Sequence, residues 1–147
     1  MTTTTAPTLL DEDWRVLTDY LPALAEHLRA TGVEELERPG GAALAVFKDA
    51  GGPALAVPGD LGGLGATAEQ MARVHRVLGS RAPSLAVATM MHHLSIATIV
   101  EATATGTEDE RDALRFLTAA GALSRGSIAA RLVDYHRTGT FHLPVPD

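Results

Sequence analysis

Two adjacent histidines, His92 and His93, lie in an apolar stretch and are the residues of this sequence best suited to acid–base work or metal binding. On a helix, neighbours diverge by about 100°, so they cannot share one ion as an i, i+4 pair does, and no metal site is expected. A histidine satisfied by a backbone carbonyl between packed helices is the structural alternative. Gly59, Gly62 and Gly65 recur every third residue. A dinucleotide fingerprint needs a buried strand before it, and a Walker loop needs Gly-Lys-Ser/Thr. Neither context is present, so Pro58, Gly62, Gly63 and Gly65 are read as a structural turn in which glycine supplies positive φ and close backbone approach. Asp11, Glu12 and Asp13, and again Glu108, Asp109 and Glu110, cluster at helix starts, where the dipole favours acids; they are not read as acid/base pairs. No serine stands in a G-x-S-x-G context. No catalytic residue is assigned, and cofactor-binding residues stay unknown.

The elements that must position these residues come from 147 residues, 46% hydrophobic, 20% charged and 4% aromatic, with a net charge of −6. That suffices for one domain burying roughly 70% of its unfolded surface. Cysteine is absent, which excludes disulfides, thiolate metal sites and a Cys nucleophile. Lys48 is the only lysine and the arginines are scattered, which argues against nucleic acid as a partner. The apolar run Leu85 to Val100 is shorter than the roughly 20 residues of a membrane span and is interrupted by Thr89, His92, His93, Ser95 and Thr98. It reads as a buried core helix, no membrane partner is expected, and the location is read as cytoplasmic.

Asp11 to Ala30 carries Trp14, Leu17, Leu21, Leu24 and Leu28 at helical spacing, with Pro22 inside, so the helix should bend or split near Tyr20. Trp14 reads as a core anchor. Gly32 and the acidic stretch Glu34, Glu35 and Glu37 lead to a loop, Arg38-Pro39-Gly40-Gly41, and Ala42 to Ala50 reads as a short helix with Leu44 and Phe47 inward. The prolines at 53 and 58 bias the segment between them to extended geometry. Thr67 with Gln70 makes a capping box for a helix with a Met71, Val74, Leu78 stripe that Gly79 closes. A helix from Ser84 to Thr105 has apolar residues nearly all round, the pattern of a helix surrounded by others. Gly106 stops it, Thr107 and Glu110 cap a helix with Leu114 and Leu117, and a last helix spans about Ser127 to His136. Residues 1–9 read as a disordered lead, 10–137 as the helical domain and 138–147 as an extended tail. The fold class is all-α, a bundle of five to six helices.

Phe47 to Gly51, then Ala56-Val57-Pro58, then Gly62 to Gly65 followed by a helix, resembles the N-terminal helical domain of the flavin-dependent acyl-CoA dehydrogenases. The order continues through Pro83-Ser84-Leu85, the helix to Val100, and Gly106-Thr107-Glu108, so the resemblance covers roughly residues 10–126. Leu61 replaces the family's turn aromatic. Where the family begins its β-barrel with a Thr/Ser-Glu-Pro-Gly-type signature, this chain reads Ser127 to His136 with helical spacing.

The resemblance implies FAD as cofactor, held mainly by a barrel that this sequence does not show, and a glutamate base in a C-terminal domain that it also lacks. It implies a groove for an acyl thioester, with Met90, Met91, His93 and Leu94 as lining candidates. The expected function is therefore a part of, or partner to, a flavin-dependent acyl-thioester oxidoreductase, not catalytic alone. The chain is expected to form a homo- or hetero-oligomer with a barrel-bearing acyl-CoA dehydrogenase-like chain. A non-catalytic module that binds a thioester or a protein, and an inactive fragment, are the alternatives.

Overall fold

A computed structural model describes residues 9–112. Among them are six α-helices, two single 3₁₀ turns and no strand, so the all-α class holds. The helices are α1 (Leu9–Tyr20), α2 (Pro22–Ala30), α3 (Val33–Leu36), α4 (Ala43–Asp49), α5 (Ala68–Arg81) and α6 (Pro83–Thr105). Residues 108–112 begin a further helix. The lead at 1–8, the positions of Leu114 and Leu117, the helix from Ser127 and the tail lie outside the described residues.

Pro22 splits the first helical stretch as its missing amide proton requires: it opens α2, and Leu21 between the two helices leaves helical geometry. Both helices present leucines to one core, where Leu17, Leu21, Leu24 and Leu28 are fully buried against Val74, Val77 and Leu78 of α5 and Phe47 of α4. Trp14 packs at the edge of this core, partly buried, with the Arg29 guanidinium 4.6 Å from its ring centre. The Thr67–Gln70 capping box is complete: each side chain bonds the other residue's backbone amide, at 3.2 and 2.8 Å.

Three expectations need correction. Leu44 points outward, because α4 is short and Ala43 and Phe47, four apart, already occupy its inner line. Residues 38–41 form a loop as expected, and the acidic stretch ahead of them makes the one-turn helix α3, with Leu36 buried. Gly79 does not end α5, which runs two residues further to Arg81. The segment from Pro53 is not extended: Gly52–Ala54 is a 3₁₀ turn, since proline's fixed φ suits that turn as well as a strand. The stretch Pro53 to Val57 is nonetheless buried, and its carbonyls are taken by the following loop.

A fourth correction concerns α6. It has 23 residues, and Pro83–Glu101 is long and apolar enough to cross a membrane by length and composition, yet only 22% of that stretch is buried. It is not surrounded by other helices within the described residues. Leu85, Thr89, His93 and Ile96 face the protein, while Val87, Met90, Met91 and Leu94 are exposed by half or more. All-round apolar composition had no means of separating the two sides.

Candidate functional site

The chemistry-bearing side chains meet where α5, α6 and the Gly52–Ala54 turn converge. Apolar residues on α5 at positions 74, 77 and 78 fix that helix against the core, which places His75 beside α6. On α6 the buried line through Leu85, Thr89 and Ile96 carries His93 inward, to 2% exposure. His75 Nε2 and His93 Nδ1 stand 2.8 Å apart, with the rings edge to face at a 5.0 Å centroid separation. Phe47 of α4 lies 5.7 Å from the His93 ring centre and closes the other side.

A carbonyl oxygen can only accept, so the hydrogen-bond network assigns the protons. His93 Nε2–H donates to the Gly52 carbonyl and His92 Nε2–H to the Pro53 carbonyl, each at 2.9 Å. Neutral His93 then has a bare Nδ1, which accepts from His75 Nε2–H. This arrangement leaves Nδ1 of His75 and Nδ1 of His92 as buried acceptors with no partner among the described residues. Burial pushes the His93 imidazole down to about 4, the Gly52 hydrogen bond opposing and the nearby His75 and His92 reinforcing the shift. Burial lowers His75 as well.

The turn reaches this cluster because residue 52 has no side chain: a Cβ there would lie 2.3 Å from the Phe47 ring. The glycine loop backs the turn. Gly62 and Gly65 adopt positive φ of 82° and 67°, and a Cβ on Gly63 would fall 2.1 Å from the Val57 carbonyl oxygen. The amides of Gly62, Gly63, Leu64 and Gly65 donate to the carbonyls of Gly59, Pro58, Ala54 and Val57. A phosphate cradle would need those donors free; here they tie the loop to the segment behind Pro58.

The four groove residues named from the sequence are not brought together. His93 is inside, bonded to Gly52, while Met90, Met91 and Leu94 share the open side of α6 with Val87. A cleft of about 700 Å³ lies elsewhere, lined by Asp11, Trp14, Arg15, Thr18, Asp19, Arg29 and Arg81. No group of three or more His, Asp or Glu among the described residues is arranged to hold a metal. Sequence reasoning missed His75, which is 18 residues from His93 and carries no local signature. It also missed Asp13 as a structural ion: buried at 1% exposure, it takes two 2.7 Å hydrogen bonds from Arg76. Comparison with protein-family models, curated proteins and solved structures gives no match for this chain.

Proposed function

We propose that this chain is a helical association module of the acyl-CoA dehydrogenase type, which works by docking on a flavin-bearing polypeptide and does not dehydrogenate acyl thioesters alone. The observation that carries this reading is the open side of α6. Val87, Met90, Met91 and Leu94 are 51% to 68% exposed, and no charged residue occurs between Pro83 and Val100. Uncharged apolar faces of this kind mark association sites, and methionine suits them because its side chain adapts to the surface it meets. The motif order from Phe47 to Gly65 and onward supports the choice of partner class. FAD would then sit chiefly on the partner.

The test is capture on immobilised chain, followed by absorption spectroscopy of the eluted polypeptide. A captured flavoprotein that the Leu94→Asp chain fails to capture is expected. Capture only of polypeptides without flavin, or equal capture by the variant, overturns the reading. Flavin retained by the purified chain itself after desalting would replace it with a flavoprotein reading. Tight binding of octanoyl-CoA by the chain alone, lost in Leu94→Asp, would instead favour a thioester-binding module.

A further inference from the structure

We propose that His75, His93 and His92 form an acid-operated latch, which holds the Gly52–Ala66 loop closed at neutral pH and releases it when the cluster takes up a proton.

Two histidines of α6 grip consecutive carbonyls of the turn, His93 at Gly52 and His92 at Pro53. Those carbonyls begin the buried segment that continues through Ala54, Leu55, Ala56 and Val57. The same segment is held from behind by the amides of Leu64, Gly65 and Ala66, which donate to Ala54, Val57 and Leu55. The loop is therefore clamped between α6 and its own return stretch. Holding two imidazole hydrogen bonds on one turn requires that both rings keep their Nε2 protons and stay inside.

The proton entry point is the bare Nδ1 of His75, a buried acceptor that no described residue satisfies. Protonation there converts His75 to an imidazolium, and its Nε2 proton can pass along the 2.8 Å contact to His93 Nδ1. Each transfer moves one proton between two ring nitrogens and leaves the total charge of the pair at +1. The His92 ring, its centre 5.6 Å from that of His93, closes the cluster on the α6 side.

The described groups around the cluster offer no compensation. The side chains that bear on His93 are His75 from α5 and His92 from α6, both imidazoles that disfavour a charge on it. The turn offers only carbonyls, and α4 offers the Phe47 ring. Among the described residues no carboxylate contributes at either His93 or His75. The Gly52 carbonyl accepts from an imidazolium as well as from a neutral ring, so the bond itself does not fail on protonation. The closed form fails because it holds an unpaired charge in an apolar site, whereas the open form lets the rings reach water. Proton uptake therefore drives opening, and opening uncovers the apolar run Ala54 to Val57.

Amide hydrogen exchange tests this on the full chain, comparing protection factors, corrected for intrinsic exchange, at pH 7.5 and pH 5. Protection across 52–66 should fall by about tenfold or more, the ratio that each unit of pKa displacement supplies, while α1 and α2 keep theirs. His75→Gln keeps a donor for His93 and removes one titrating ring, so its loss of protection should be smaller than in the native chain, with the part due to His93 remaining. Long-range ¹⁵N–¹H spectra of the native chain provide a readout independent of any variant: His75, His92 and His93 should all be Nε2–H tautomers at pH 7.5. Unchanged protection of 52–66 at pH 5, an equal loss in His75→Gln, or an Nδ1–H tautomer at His75 or His93 would each overturn the latch.

Discussion

Asp13 of α1 and Arg76 of α5, 63 residues apart, form a two-pronged ion pair with both hydrogen bonds at 2.7 Å. The carboxylate is buried at 1% exposure, and Arg73 reaches it at 3.8 Å from the same helix. Two arginines three apart on one face of α5 thus secure the start of α1 across the bundle. The planar guanidinium matches the carboxylate geometry, which a lysine at position 76 would not.

The pair has a pH signature. The Arg76 hydrogen bonds hold the Asp13 carboxyl below its ordinary value of 3.8, against the opposing effect of burial. A carboxyl with a depressed folded-state pKa contributes stability above the unfolded value, and that contribution is lost as pH falls through the folded one. Asp13→Asn should therefore lower the melting temperature at pH 7, and the gap to the native chain should narrow below about pH 4, the range in which an unfolded aspartate itself protonates. Thermal unfolding followed by circular dichroism at pH 7, 5 and 3 checks this. A gap that stays constant would show that the pair carries no net charge-dependent stability.

His93 titrates in a different window. With its folded-state value near 4 and an ordinary value of 6.5, its contribution is complete above about pH 6.5 and declines as pH falls towards 4. The displacement corresponds to about 3 kcal/mol across that window. Urea midpoints should fall between pH 7 and pH 5 in the native chain and much less in His93→Gln, which keeps a donor for the Gly52 carbonyl. Parallel pH profiles for the two proteins would refute the assignment.

Glycine substitutions separate close approach from mere flexibility. Gly63→Ala puts a methyl against the Val57 backbone, and Gly52→Ala puts one into the Phe47 ring, so each should cost about 1–3 kcal/mol as overpacking does. Gly59→Ala meets no atom within 4 Å and should change stability by no more than about 0.5 kcal/mol. Equal effects at all three positions, measured by chemical denaturation, would argue against the tight packing of the loop.

Local rules were the legible part. Pro22 broke the first helix because of chemistry confined to one residue, and the Thr67–Gln70 box spans four. What escaped notice depended on distance in sequence or on direction. His75 and His93 meet only because α5 and α6 pack side by side, and Asp13 looked like a dipole-favoured acid because its partner lies on another helix. The prolines at 53 and 58 restrict φ, which a 3₁₀ turn and a strand accept alike. On α6 nearly every residue is apolar, so periodicity gave no phase. Ile96 went inside and Leu94 outside for reasons that only the neighbouring helices supply.

The two sides of α6 should respond differently to substitution. Leu17→Ala, in the closed core, should cost about 2–5 kcal/mol. Leu94→Asp should leave stability within about 0.5 kcal/mol, because its side chain is 57% exposed, while reducing any association made through that face. Sedimentation velocity on both variants measures the second effect. A Leu94→Asp chain that unfolds would mean that the face is covered in solution.

The stretch from Pro83 to Val100 has a colloidal consequence. The chain's net charge of −6 is carried entirely outside it, so long-range repulsion between copies and short-range stickiness reside on different parts of the surface. Added salt shortens the repulsion to within about 8 Å at physiological strength and leaves the uncharged strip untouched. Ionic strength therefore acts on this protein as a control of encounter: dilute buffer keeps molecules apart, and brine lets their bare sides find one another.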